Sequence, residues 1–401
     1  MTRLILTPSN FVVDSGDTSL LFAALDAGAG LSSITHAGET WFVDEPTGAP
    51  LWLLAFEDSA GVTYEVTNTT RGATVEHLGH GRVSWTGVPI AGNATCRVTV
   101  TWTPSGEAIE GHIAVEDFGA NLTLRSVEFP VVKLRPTPSA ADAITLVMSR
   151  AFGRSWRDPW SGETGYQVGA NLGLVAPGPM QFGALVDDDD RTLYWATHDP
   201  DARLKAFVYD NATDDGTLEL RIRHVPEDQD RGGNELTLAY PVVLRTLAGD
   251  WWDAAQVYRA WALDQKWAAG GALRTRSDVP AYLTDCHAWI RLDTGNGDLK
   301  GFGTLVADYP RMFGTDVCVQ WYDWYENGNM AIPDNEPWDL ASGLAAHLRQ
   351  KGATTAPYLN TLVWDEDSPA WKPEVELEAM RDDDGAVQLE PIGETEGDGR
   401  A

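Results

Sequence analysis

The hydrophobic period of this chain changes once, near Gly249, and that change divides any fold into two dissimilar parts. Up to about residue 246 the apolar residues come in short alternating runs. Arg97-Val98-Thr99-Val100-Thr101-Trp102 alternates at period two, as a strand with one wet face must. Leu4-Ile5-Leu6, Ser19-Leu-Leu-Phe22, Leu51-Trp-Leu-Leu-Ala-Phe56 and Leu218-Glu-Leu-Arg-Ile-Arg-His224 read likewise. Gly, Asp, Asn and Pro separate them. No convincing helical period occurs in this half. So many short strands with turn punctuation predict a large antiparallel sandwich.

After Gly249 the pattern turns helical. Asp250 is an N-cap candidate, and Trp251, Ala255, Tyr258 and Trp261-Ala262 fall on one stripe that Gly270-Gly271 ends. This predicts a connecting helix. From Pro280 strand and helix signals alternate: a strand over 282–292, a short helix over 305–312, and a second strand over 316–325. A helix follows over 337–351, with Leu340, Leu344 and Leu348 repeating at helical spacing. A third strand is predicted over 355–364, weakened by Pro357, which lacks a ladder donor. Three such units in series read as the start of a (β/α)8 barrel of TIM type. The stretch from Pro280 to Ala401 is about half of the roughly 250 residues a complete barrel takes. Residues from Glu374 onward are acidic and poor in large apolar side chains, a disorder-like composition. The expected organisation is therefore a β domain over 1–246, a connecting helix and linker over 247–278, three βα units over 279–373, and an acidic tail over 374–401. In this reading the frame is truncated, or a second chain supplies the rest of the barrel.

Composition narrows the partners. A net charge of −30 argues against nucleic acid and against an anionic membrane surface. No run is long enough for a signal peptide or a membrane span, so a cytoplasmic location is expected and the sequons at Asn68, Asn93, Asn121 and Asn211 read as chance. The three cysteines, Cys96, Cys286 and Cys318, fit no metal spacing and read as reduced thiols. Asp187 to Asp190 lacks the Gly and Glu spacing of a calcium loop and reads as a solvated turn. No cofactor or metal is expected. Seventeen tryptophans exceed what core filling usually needs, so part of that number is assigned to binding surface.

Two of the predicted parallel strands end in aromatic rings mixed with carboxylates: Trp321-Tyr322-Asp323-Trp324-Tyr325-Glu326 and, later, Asn360-Thr-Leu-Val-Trp364-Asp365-Glu366-Asp367. Loops at the C-terminal ends of parallel strands carry chemistry in βα folds. Flat rings beside carboxylates suit sugars, which offer an apolar face to stack on and hydroxyls that need acceptors. Trp321, Trp324 and Trp364 are stacking candidates, with at least one of the three expected to fill the core instead. Asn360 is a candidate for positioning substrate or Asp365. Asp323 and Asp365 leave adjacent strands about 4.8 Å apart, so they can share one pocket, and they are the candidates for a catalytic carboxyl pair. The alternative is that both are solvated loop acids. His287 reads as a core histidine rather than a base.

At these residues the chain resembles a bacterial glycoside-hydrolase-like family defined as a domain of unknown function. Its plan joins a galactose-mutarotase-like β-supersandwich to a (β/α)8 barrel, and is similar to that of the α-galactosidase and α-glucosidase superfamily. The resemblance rests on Phe152-Gly-Arg, Met180-Gln-Phe-Gly-Ala-Leu, and Leu193-Tyr-Trp-Ala-Thr-His198-Asp199-Pro200 with Lys205. It also rests on Gly249-Asp-Trp-Trp-Asp-Ala-Ala-Gln-Val-Tyr-Arg-Ala-Trp261, on Trp321-Tyr-Asp-Trp-Tyr, and on Pro357-Tyr-Leu-Asn-Thr-Leu-Val-Trp364-Asp365. It implies hydrolysis of glycosidic bonds by the complete form, an oligosaccharide or glycoside as substrate, and Trp289, Asp323, Trp364 and Asp365 as substrate contacts. It also implies that the catalytic carboxylates follow the fourth and sixth barrel strands, which have no counterpart in this sequence. A non-catalytic carbohydrate-binding or scaffold protein is the competing expectation.

Overall fold

The computed structural model describes residues 3–6, 11–43, 50–136, 141–149, 153–161, 166–169, 180–211, 216–229, 231–292, 306–321, 324, 341–359, 364, 366, 368–381 and 385–387. The chain divides into two compact units, Met1–Ala269 and Gly270–Ala401. Among the described residues no helix is long and apolar enough to cross a membrane.

The first unit is built on two antiparallel sheets. One begins as a meander, with strands Arg3–Leu6, Phe11–Ser15, Thr18–Phe22, Leu31–His36 and Glu39–Val43. It joins the long strand Leu122–Pro136 and continues through Leu218–His224 and Lys205–Asp210 to Tyr166–Gly169. The other runs from Arg154–Arg157 through Ile144–Met148, Phe182–Asp187, Arg191–Thr197 and Val242–Ala248 to the hairpin Ala108–Glu116 and Ala94–Ser105. Arg82–Ala91 and Thr74–Gly79 close it. Rings from both sheets meet between them: Phe22 and Phe129, from the first, flank Trp102, from the second, at 5.5 and 5.4 Å between centroids. Trp52, Trp85, Trp102 and Trp195 are wholly buried. These four of the seventeen tryptophans are therefore core.

Burial along a strand reports what covers its outer face. Ala108–Glu116 alternates buried and half-buried residues, as a wet outer face requires. Arg191–Thr197 is buried almost continuously, because the helix Trp251–Ala262 covers its second face. Ala254 and Tyr258 of that helix pack on Phe182, Ala184, Tyr194, Ala196, Val243 and Leu247. Asp250 caps the helix as its sequence predicts: its Oδ1 accepts from the Trp252 N–H at 2.7 Å, and Asp253 Oδ2 accepts from the Asp250 N–H at 3.0 Å. Gly249 sits at φ +129°, where a Cβ would strike the Asp253 carboxylate, so only glycine fits this entry. The buried stripe differs from the expected one. Ala254 replaces Trp251, which stands half in solvent at the helix start.

Two strand glycines serve ring packing. Gly111 lies opposite Trp102, and Gly183 lies opposite Trp195. A Cβ at either would enter the facing indole. Asn68, read as a chance sequon, is a buried staple: its Oδ1 accepts from the Leu51 N–H at 2.6 Å, and its Nδ2 donates to the Gly28 carbonyl at 2.9 Å.

The second unit holds three parallel strands, Ala288–Leu292, Val317–Trp321 and Ala353–Pro357, with Val317–Trp321 in the middle. These are shorter than the sequence pattern suggests. Residues 282–285 belong to a helical turn, Ala281–Asp285, started by Pro280, whose fixed φ suits a helix entry. The third strand stops at Pro357, which has no N–H to continue a ladder. The helices Tyr309–Phe313 and Ala341–Gln350 match the two predicted ones in place. Within the acidic stretch from Glu374, the helical turn Pro373–Glu376 begins the described part, and Arg381 bridges to Val387.

Candidate functional site

Register sets the geometry of the parallel sheet. Leu292, Trp321 and Pro357 are partners across the three strands, so the C-terminal ends are flush. The loops that leave this edge are the aromatic and acidic segments. Two hydrogen bonds tie them: the Tyr358 N–H donates to the Trp321 carbonyl at 2.8 Å, and Trp324 Nε1 donates to the Tyr358 carbonyl at 2.8 Å. The chain after the second strand is thereby clamped to the chain after the third.

The two faces of this sheet differ. One packs on helices: Val317, Val319, Trp321 and Ala353 cluster with Val306, Ala307 and Leu348. The other carries Trp289, Arg291 and Gln320, all exposed. A parallel sheet is usually covered on both faces. Among the described residues the second face is covered only in part, because Cys318, which lies on it, is fully buried.

The tryptophans separate accordingly. Trp321 is 3% exposed and belongs to the apolar cluster, so it is the core member of its trio. Trp324 is half-buried and fixed by its bond to Tyr358. Trp364, beyond the third strand, is 43% exposed. Trp289 is 52% exposed but level with Cys318 and Thr354, nearer the start of its strand than the flush edge. Asp323, Asn360 and Asp365 lie outside the described residues. His287 is exposed, with Nδ1 3.5 Å from Thr315 Oγ1, so it is no core histidine. Among the described residues no group of three or more His, Cys, Asp or Glu side chains is placed to hold a metal ion.

A dense polar cluster sits elsewhere, in the sandwich, around Asp199. This carboxylate is fully buried. Its Oδ2 accepts from Lys205 Nζ at 2.7 Å and from the Arg203 N–H at 2.6 Å, while Oδ1 accepts from the Asp201 N–H and from Arg203 Nη1, both at 3.0 Å. Burial alone would raise the Asp199 carboxyl. The Lys205 hydrogen bond, the backbone donors and the Lys205 charge hold it below the usual range. Lys205 also donates to Gln181 Oε1 at 3.2 Å and to the Arg203 carbonyl at 2.6 Å, and lies 4.8 Å from the centre of the Tyr240 ring. With its donors used, Lys205 is a structural ammonium. Its signal in the sequence is a lysine at the head of the run Ala206-Phe-Val-Tyr209, six residues after an aspartate.

His198, beside it, stacks on Trp261 at 4.8 Å and shares a 3.0 Å hydrogen bond between Nε2 and the Tyr194 hydroxyl. Burial pushes it down to about 4. His224 is likewise pushed down to about 4 by burial. Its Nε2 lies 2.8 Å from the Phe129 carbonyl, which only an N–H can satisfy, so Nδ1 accepts from the Tyr240 hydroxyl at 2.8 Å. The run Asp187–Asp190 forms a turn, but its first member is buried rather than solvated. Asp187 Oδ1 accepts from the Asp189 and Arg191 N–H groups, and its Oδ2 accepts from Arg191 Nε at 2.8 Å. Those oxygens hold the turn.

A family profile described as a domain of unknown function, DUF6259, matches residues 236–395. No curated protein matches the chain. Among solved structures, the α-N-acetylgalactosaminidase NagBb of Bifidobacterium bifidum in its Gal-NHAc-DNJ complex superposes with a TM-score of 0.54 at 13% identity, covering 93% of this chain. The GalNAc complex of the same enzyme gives 0.52 at 13% identity over 96%. The chain spans 62% of the length of each. The GH36 α-galactosidase AgaB of Geobacillus stearothermophilus matches with a TM-score of 0.41 at 13% identity, over 93% of this chain and 59% of its own. At such identity the likeness to NagBb is one of fold.

Proposed function

We propose that the chain is a carbohydrate-active protein of glycoside-hydrolase type, with a galactose-mutarotase-like supersandwich over 1–246, a connecting helix and linker over 247–278, and the first three βα units of a TIM-type barrel over 279–373. The observation that carries this reading is the flush C-terminal edge at Leu292, Trp321 and Pro357. From that edge leave two aromatic-carboxylate segments, clamped together by Trp324 and Tyr358. The fold likeness to an enzyme whose solved complexes hold GalNAc and Gal-NHAc-DNJ supports a sugar as ligand.

In this reading Trp364 and Trp324 stack on the sugar, Trp321 braces them from the core, and Trp289 extends the surface over the open face. Asp323, Asp365 and Asn360 supply acceptors and donors to sugar hydroxyls, and the two aspartates are the candidates for acid or nucleophile chemistry. An oligosaccharide with a terminal α-linked galactose or N-acetylgalactosamine is the first ligand to try. The chain is titrated with such glycans by tryptophan fluorescence and assayed against the matching aryl glycosides. Turnover lost in Asp323→Asn supports the hydrolase. Saturable binding without turnover identifies a carbohydrate-binding protein. Neither binding nor turnover overturns the proposal.

A further inference from the structure

Two polar side chains stand on the open part of the parallel sheet, one step short of the edge from which the proposed sugar site leaves. In register, Arg291, Gln320 and Ala356 form the last row on that face, and Trp289, Cys318 and Thr354 form the row before it. Arg291 and Gln320 are exposed and Ala356 is half-buried, whereas Cys318 is fully buried. The face therefore opens toward the edge. Along the middle strand Val317, Cys318 and Val319 are all enclosed before Gln320 breaks the apolar run. A central parallel strand ordinarily stays apolar. An amide here, level with a guanidinium on the neighbouring strand, is a departure that core packing does not call for.

Trp289 and Arg291 share this face two residues apart, about 6.6 Å along their strand, and Gln320 lies one strand over, about 4.8 Å away. A flat ring, a guanidinium and an amide thus frame a patch on the scale of a hexose. The guanidinium is a planar fork of five N–H donors that matches the two oxygens of a carboxylate. Arg291 also interacts within the protein, and its fork keeps donors beyond any one contact. The segments that leave the edge carry Asp323, Glu326, Asp365, Glu366 and Asp367. Those groups accept from hydroxyls but repel an anion, as does a chain of net charge −30. A ligand with both hydroxyls and an acid group is therefore oriented: hydroxyls toward the edge loops, acid toward Arg291. We propose that Arg291 reads a carboxylate on the sugar, so that the site takes a hexuronic acid, an α-linked galacturonate rather than a neutral galactose. Trp289 lies under the sugar ring, and the Gln320 amide donates to a neighbouring hydroxyl. This assignment rests on the sugar site proposed above and on the galacto configuration taken there.

The test titrates the full chain, by tryptophan fluorescence, with three matched probes: an α-galactoside, the same glycoside oxidised to the acid at C6, and its 6-sulfate. The sulfate carries the charge on a tetrahedral group. The galacturonide should bind about tenfold or more tighter than the galactoside, and tighter than the sulfate. In Arg291→Met the ratio of the galacturonide to the galactoside should fall to near one. In Arg291→Lys it should fall between, because an ammonium keeps the charge without the planar fork. Arg291 is exposed, so neither substitution opens the core. Equal affinity for the galacturonide and the galactoside, a sulfate held as tightly as the galacturonide, or a preference that survives in Arg291→Met overturns the assignment and leaves the sugar site standing. No saturable change with any of the three overturns the sugar site itself, and the assignment with it.

Discussion

In the sandwich, Trp52, Trp85, Trp102 and Trp195 are sealed from water, and a carboxylate and an ammonium are buried together with their hydrogen bonds made. Among the described residues of the parallel-stranded unit Trp321 is the one enclosed tryptophan, while Trp289 and Trp364 stand in solvent. The sandwich encloses its sheets from several sides, with strands such as Arg191–Thr197 buried on both faces. Among the described residues the parallel sheet has one face packed on helices and a second on which Cys318 is buried while Trp289, Arg291 and Gln320 are exposed. The same residue type thus does two jobs. Where neighbours close around it, tryptophan fills volume; where they do not, its ring faces water, and the proposed function uses that ring to stack on a ligand.

The difference breaks most readily at the buried ion pair. Lys205→Met removes the ammonium and leaves Asp199 charged and enclosed, a change expected to cost about 3–5 kcal/mol. Urea unfolding measures the loss. Hydrogen exchange should place it on the strands within 11–248 and spare those within 288–357. A loss under 1 kcal/mol would mean that Asp199 is relieved by water or by protonation.

Acid should act on the same unit. His198 and His224 are held near 4 by burial, so the folded protein keeps them neutral while the unfolded chain takes up protons near 6.5. The unfolded state then binds more protons as pH falls, so this stability is present above pH 6.5 and lost toward pH 4. Between pH 7.5 and 5 each histidine should cost about 2 kcal/mol. Denaturation of His224→Gln at the two pH values checks the size: its loss should be smaller by about that amount.

Ring seating gives a milder probe. Gly183→Ala forces a methyl against Trp195 and Tyr209, and should destabilise by about 1–3 kcal/mol through overpacking, read as a lower urea midpoint with unchanged slope. At the other extreme, Trp364→Ala trims an exposed ring and should change stability by less than about 0.5 kcal/mol. If it destabilises more, Trp364 is structural and the contrast between the two units weakens.

How much of this could be read from the residues depends on whether the cause is local. The change of period at Gly249, the Asp250 cap and the helix around Leu344 and Leu348 are legible because capping and spacing are near-neighbour effects. The Ala281–Asp285 turn was read as strand because Tyr282 to Leu292 offers apolar residues at both periods, and Pro280 settles the choice. The Asp199–Lys205 pair went unread and Asp187 was read as solvated, since a charge at a strand end looks solvated until the sheet above it is known. Trp251 was assigned to the buried stripe on spacing alone, yet at the helix start little covers it. For the candidate site, the sequence supplied the aromatic and acidic segments, and the register supplied the flush edge and the Trp324–Tyr358 clamp. It also separated Trp321, which faces the core, from Trp364, which does not.

The central claim is that this edge binds sugar through its exposed ring, and a fluorescence titration of the full chain tests it most directly. Oligosaccharides ending in α-galactose or α-N-acetylgalactosamine should give a saturable change in tryptophan emission. Trp364→Ala should weaken binding about tenfold or more while its urea midpoint stays in place. Absence of a saturable change with these glycans, or equal affinity in Trp364→Ala, would contradict the account.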